Sequence, residues 1–145
     1  ARQVRLEFAS PTAFRSNGAD TPLPLPGQVF RSWWQKWNTY TTQGAQIQDV
    51  GPGFAAACIM VSELSGINTT RWSFAEGTRG VATGFSGAVG FTLLPKSHCG
   101  EWAACWDGAD QVMQSLAQFA FYCGTGHHAT IGMGQTRQLA AVKPG

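Results

Sequence analysis

The residue types best suited to chemistry cluster near the C-terminus, in Gly124-Thr125-Gly126-His127-His128-Ala129-Thr130-Ile131-Gly132-Met133-Gly134. Its four glycines follow the pattern G-x-G-x5-G-x-G, a demand on the backbone, because glycine alone adopts positive φ without a steric cost. Successive exposed N–H groups in such a loop form a concavity for an anionic oxygen, phosphate foremost. An isolated pair of glycines would read as a tight connection, whereas four in eleven positions point to a ligand. The adjacent His127 and His128 titrate near neutral pH, with a reference pKa of about 6.5, and are candidates for proton transfer. They are equally suited to holding a phosphate or to occupying a solvated turn.

Gly124, Gly126 and Ala129 also satisfy the G-x-G-x-x-G/A dinucleotide fingerprint. That fingerprint has to follow a strand, open a helix and precede an acidic residue about 20 positions on. Here the loop follows the most helix-like segment, and no Asp or Glu occurs after Asp110. Nicotinamide and flavin binding are thereby disfavoured, and no cofactor is expected. Beyond Asp110 the only ionisable side chains are the two histidines, Cys123, Tyr122, Arg137 and Lys143, so this end is locally basic and suits a polyanion. His98, Cys99 and Cys105 could be joined with His127 or His128 into a zinc site, but C-x5-C is not a usual ligand spacing; no metal is expected.

The elements that would position the loop follow from periodicity. Val4, Leu6 and Phe8 alternate with polar residues, as in a half-buried strand ending at Pro11. Residues 10–27 read as an irregular loop, with Arg15 a candidate phosphate contact. Phe30, Trp33, Trp34 and Trp37 recur at i, i+3, i+4 and i+7, which predicts a helix with a core-facing aromatic stripe; Arg31, Gln35, Lys36 and Asn38 fall on its other faces. Phe54 to Leu64 is almost continuously apolar and reads as a central strand with Cys58 buried. Residues 66–80 carry Arg71, Trp72, Phe74 and Arg79 around a turn at Glu76-Gly77, and residues 81–94 alternate again, so a long hairpin is expected whose basic tip outruns the core. Asp107 is expected to cap a second helix with Val112, Leu116, Phe119, Ala120 and Cys123 on its apolar face and Gly124 as its terminating glycine. Residues 135–142 form the last strand. Strand, helix, strand, strand, helix, strand is the ferredoxin-like (RRM-like) βαββαβ order: an α+β fold with a four-stranded antiparallel sheet and two helices on one face.

Composition sets the bounds. A chain of 145 residues with 43% hydrophobic and 12% charged residues is one globular domain, 1–145, with enough apolar material for a core. A net charge of +2 excludes a wholly cationic coat, so any nucleic-acid site has to be local. Four cysteines without a CxxC pair fit free thiols in a cytoplasmic protein. No apolar run approaches the roughly 20 residues needed to span a bilayer, so no membrane partner is expected. The start at Ala1 without Met fits a processed chain or a segment of a longer one.

The glycine loop at the end of a helix, the opening strand with Ser10-Pro11-Thr12-Ala13-Phe14-Arg15, Leu23-Pro24-Leu25-Pro26 leading into Val29-Phe30-Arg31-Ser32-Trp33-Trp34-Gln35-Lys36-Trp37-Asn38, and Gly84-Phe85-Ser86-Gly87 opening a strand occur together in this order. In these features the chain resembles the CRISPR repeat-processing endoribonucleases of the repeat-associated RNA-binding superfamily, over most of its length and in their second, C-terminal ferredoxin-like domain. The family's five-residue insert carries a Lys or Arg, and residues 127–131 carry none. The resemblance implies binding of CRISPR repeat RNA through Gly124, Gly126, His127, His128, Gly132, Gly134, Arg71, Arg79 and Arg15, the hairpin meeting the base of an RNA stem. It implies metal-independent cleavage by a ribose 2′-hydroxyl, leaving a cyclic phosphate and a 5′-hydroxyl. The family's usual catalytic histidine belongs to the first ferredoxin-like domain, so catalysis by this chain alone is left open, with His98, His127 and His128 its candidates and a second ferredoxin-like domain or other subunits its partners. The competing reading is a non-catalytic RNA-binding subunit of an RNA-guided complex. Valine at Gly126 or Gly132 is expected to spare the fold and damage RNA binding.

Overall fold

A computed structural model describes residues 2–16, 19–40, 52–73, 81–126 and 133–140. The elements are β1 (Gln3–Thr12), β2 (Phe14–Ser16), β3 (Ala19–Thr21), α1 (Pro26–Tyr40), α2 (Pro52–Cys58), β4 (Ile59–Ser73), β5 (Val81–Leu93), α3 (Ala109–Cys123) and β6 (Thr136–Leu139). β4, β5, β1 and β6 lie side by side in that order, and the three pairings are antiparallel. With α1 between β1 and β4, and α3 between β5 and β6, this is the ferredoxin-like arrangement that the periodicities predict. It carries two additions, the β2–β3 ribbon and α2.

Alternation in β1 separates two environments. Val4, Leu6 and Phe8 are buried and face the helices, with Phe30, Trp33, Phe85, Phe91, Met113 and Leu116 in the same core. Aromatic edges join the layers: Phe30 meets Phe91 at 5.5 Å between centroids, and Trp37 of α1 meets Phe119 of α3 at 5.2 Å. Phe30, Trp33 and Trp37 of the α1 stripe therefore belong to the core, and Trp34 is half-buried. On the opposite sheet face Arg5 reaches across β5 to Glu63 on β4, through Nε–Oε2 at 2.8 Å and Nη2–Oε1 at 3.0 Å. The strand between them presents Gly90 at the shared register, where a side chain would crowd Glu63. Arg137 pairs with Glu7 at 2.9 Å on the same face. Ion pairs thus occupy the central positions where RRM sheets carry base-stacking aromatics.

Three expectations need correction. Phe54–Leu64 is not one central strand: Pro52–Cys58 is helical, β4 begins at Ile59, and β4 is an edge strand. Ala55-Ala56-Ala57 favours helix and Ile59 onward favours strand, so the switch falls where propensity changes; Cys58 is buried as expected. The α3 cap is Gly108, at φ 83°, with no side-chain capping bond, and Asp107 instead lies 3.3 Å from Lys96. The buried face of α3 is Ala109, Met113, Leu116, Ala117 and Ala120, rotated from the expected one, with Val112, Phe119 and Cys123 flanking it. The last strand ends at Leu139, and residues 141–145 lie outside the described residues.

Candidate nucleic-acid interface

The glycine loop starts where α3 ends. Gly124 terminates the helix at φ 72°, its N–H donating to Ala120 O at 2.9 Å. Thr125, fully buried, then turns inward. Trp33 Nε1 donates to Thr125 Oγ1 at 2.7 Å, Thr125 Oγ1 lies 2.6 Å from Thr136 Oγ1, and Thr136 Oγ1 donates to Gly134 O at 2.8 Å. The direction of this chain is fixed by inventory: indole only donates, a carbonyl only accepts, and each hydroxyl has one proton. Thr125 must therefore donate to Thr136. Helix α1, the loop and β6 are tied through one buried relay.

Glycine is required in the loop by close backbone approach. At Gly126 (φ 75°) a Cβ would strike Ala13 O, and at Gly134 (φ 73°) it would strike Thr125 O. The N–H groups of this part are already spent. Thr125 N donates to Gly134 O at 2.8 Å, Gly126 N to Ser32 Oγ at 2.8 Å and Gly134 N to Pro11 O at 2.9 Å. At these positions the backbone builds the loop, and any further donors belong to side chains beside it. His127, His128 and Gly132 lie outside the described residues, as does Arg79.

Those side chains come from α1. Gln28, Arg31, Ser32, Gln35 and Lys36 share one helix face and, with Arg15 on β2 and Gly126, line a cleft of about 300 Å³. Lys36 Nζ donates to Gly126 O at 2.9 Å and Gly124 O at 3.3 Å. Burial holds its pKa below the ordinary lysine value, and burial pushes the neighbouring Cys123 thiol up to about 11. The structure therefore brings Arg15 and Gly126 together, as the sequence did not foresee, and adds Arg31 and Lys36. Their spacing of 28, 31, 32, 35 and 36 was a readable helical stripe, opposite the aromatic one.

Arg71 stands apart, exposed on β4 opposite Thr83. The last β1 partner of β5 is Phe85, so the β4–β5 pairs from Thr70–Gly84 to Ser73–Val81 extend beyond the central sheet. The described part of the hairpin thus extends past the central sheet, while its expected turn at Glu76-Gly77 lies outside the described residues. His98 sits exposed on a 3-10 turn beside Ser97, and among the described residues no three His, Cys, Asp or Glu side chains gather as a metal site. No helix among the described residues is long and apolar enough to cross a membrane.

The sequence profile described as CRISPR-associated endoribonuclease Cas6 matches residues 6–136. Curated CRISPR-associated endoribonucleases Cas6 from two strains of Mycobacterium tuberculosis are each 29% identical over 136 residues, which is 94% of this chain and 38% of theirs. The chain thus spans well under half the length of these relatives. Among solved structures, a Cas6 product complex is similar with a TM-score of 0.73 and 26% identity, over 97% of this chain and 52% of that one. Thermus thermophilus Cas6 is similar in fold with a TM-score of 0.73 at 21% identity, over 95% of this chain and 53% of that one.

Proposed function

Since the chain belongs to the CRISPR-associated endoribonuclease Cas6 family, we propose that it is the RNA-gripping part of an enzyme that processes precursor CRISPR RNA within its repeats. The observation that carries this reading is the pairing of two basic features on one family fold: the cleft of Arg15 and Lys36 against the glycine loop, and the projecting arm with Arg71. A similar fold occurs in a Cas6 structure that holds its product. The proposed RNA contacts are Arg15, Arg71 and Arg79, with His127, His128 and Gly132 of the loop that Gly124, Gly126 and Gly134 hold in shape through their own backbone bonds. The arm meets the base of the repeat stem, where phosphate contacts fix register.

Cleavage in this reading needs no metal. A ribose 2′-oxygen attacks the adjacent phosphorus while its proton passes to a base, and the 5′-oxygen leaves with a proton from an acid, giving a cyclic phosphate and a 5′-hydroxyl. The proton-transfer groups are assigned to the rest of the family's chain, with His98, His127 and His128 as candidates within this one. The natural partners are CRISPR repeat RNA and a second ferredoxin-like domain or other subunits of an RNA-guided complex, in the cytoplasm.

The arm is the accessible test. Arg71→Ala should weaken repeat-RNA binding and reduce the slope of log affinity against log salt by about one, the mark of a lost phosphate contact. Stability in urea should stay within about 0.5 kcal/mol, because the residue is exposed beyond the central sheet. Unchanged affinity, or a large stability loss, would make Arg71 a structural residue.

A further inference from the structure

We infer that Lys36 is a positioning residue for the RNA grip: its ammonium holds the entrance of the glycine loop against α1 and does not neutralise a phosphate. This rests on the RNA-binding reading above and deepens it, by separating the cation that shapes the loop from those that meet RNA.

The geometry starts with spacing. Ser32 and Lys36 stand about one helical turn apart on α1, so the two side chains reach a partner side by side. That partner is Gly126, whose N–H donates to Ser32 Oγ at 2.8 Å and whose carbonyl accepts from Lys36 Nζ at 2.9 Å. Both polar groups of one residue are thus taken by one helix face. Trp33 adds the indole bond to Thr125 Oγ1, and Lys36 reaches back to Gly124 O at 3.3 Å. Behind Gly126 stands Ala13 O, so close that a Cβ would not fit between them. The chain therefore leaves Gly126 in one fixed direction, toward the proposed loop contacts in residues 127–132.

A positive charge suits this place. Helix α3 has no basic residue in its last turn, although the carbonyls at a helix C-terminus carry partial negative charge. Lys36 brings that cation from a different helix, and Gly124, which it reaches, is the residue that ends α3. Burial disfavours the ammonium and lowers its pKa, and the two carbonyl dipoles that converge on it offset this cost. A cation whose sole task is a phosphate needs no such burial, and Arg71 stays exposed.

The test uses the whole chain and a repeat hairpin, with affinity read by fluorescence anisotropy across a salt series and loop order read by amide hydrogen exchange. Lys36→Met keeps an apolar stem and removes the ammonium. It should weaken hairpin binding about tenfold, the scale of one charge-assisted hydrogen bond, with the slope of log affinity against log salt unchanged. In the free protein the Thr125 and Gly126 amides should exchange about tenfold faster, while those of β1 keep their rates. Ser32→Ala, which removes the acceptor of the Gly126 N–H, should weaken binding and speed exchange in the same way. A slope smaller by about one on Lys36→Met would place the ammonium on a phosphate, as expected of Arg71, and overturn the assignment. Undiminished affinity would overturn it too, as would weaker binding without faster exchange at Thr125 and Gly126. Failure of the unsubstituted chain to bind the hairpin would overturn the RNA-binding reading itself, and faster exchange on Lys36→Met would then leave Lys36 as a structural clamp.

Discussion

Gly134→Ala destabilises this domain by about 3–5 kcal/mol, although it adds a single methyl group. Two costs combine. A left-handed backbone costs a non-glycine residue roughly 1–2 kcal/mol, and the added carbon would collide with Thr125 O, which is backbone and cannot rotate away. Relief requires the loop to part from β6, at the expense of the Thr125 N–Gly134 O bond and the hydroxyl relay behind it. Gly126→Ala meets Ala13 O in the same way. Gly108→Ala is the control, because its φ of 83° is equally left-handed but nothing lies within 4 Å of the added carbon; it should lose only the backbone cost of about 1–2 kcal/mol. Urea unfolding of the three variants separates strain from collision, and equal losses at Gly108 and Gly134 would show that the close approach carries no energy. The expectation that Gly126→Val would spare the fold does not survive this geometry, while Gly132 lies outside the described residues.

Thr125→Val should cost about 2–3 kcal/mol, despite near-identical shape, because it strands the buried Trp33 N–H and removes the donor to Thr136. Trp33→Phe removes the same bond from the other end and adds a void. The double variant should be less destabilised than the sum by about 1–2 kcal/mol, since neither partner is then left unpaired. Strict additivity would mean that the relay contributes nothing beyond packing.

The periodic parts of the fold were legible, because each half-buried element writes its own period. Val4, Leu6 and Phe8 gave β1, the Phe30–Trp37 stripe gave α1, and Gly124 marked the end of α3. What failed was the stretch whose exposed positions are themselves apolar: Ala56, Ala57, Met60 and Leu64 are exposed, so Phe54 to Leu64 has no period to read, although Pro52 at a helix start and the three alanines signalled α2. The β2–β3 ribbon was hidden in a polar loop, with Asn17-Gly18, a strong hairpin dipeptide, as the overlooked cue. The site was legible as a backbone requirement but not in its purpose. Of the four glycines, Gly126 and Gly134 mark close approach, and what approaches them is the protein's own backbone rather than a phosphate; Gly124 ends α3, and Gly132 lies outside the described residues. The cations beside the loop come from β2 and α1, Lys36 standing 90 positions before the Gly126 carbonyl it binds, a juxtaposition that only the fold creates.

The most direct test of the RNA-gripping role is the affinity of this chain for a repeat hairpin measured across a salt series. With at least three phosphates neutralised by Arg15, Arg71 and Arg79, log affinity should fall against log salt with a slope steeper than about −2. Tight binding with a slope near zero, or no binding at low salt, would contradict the account.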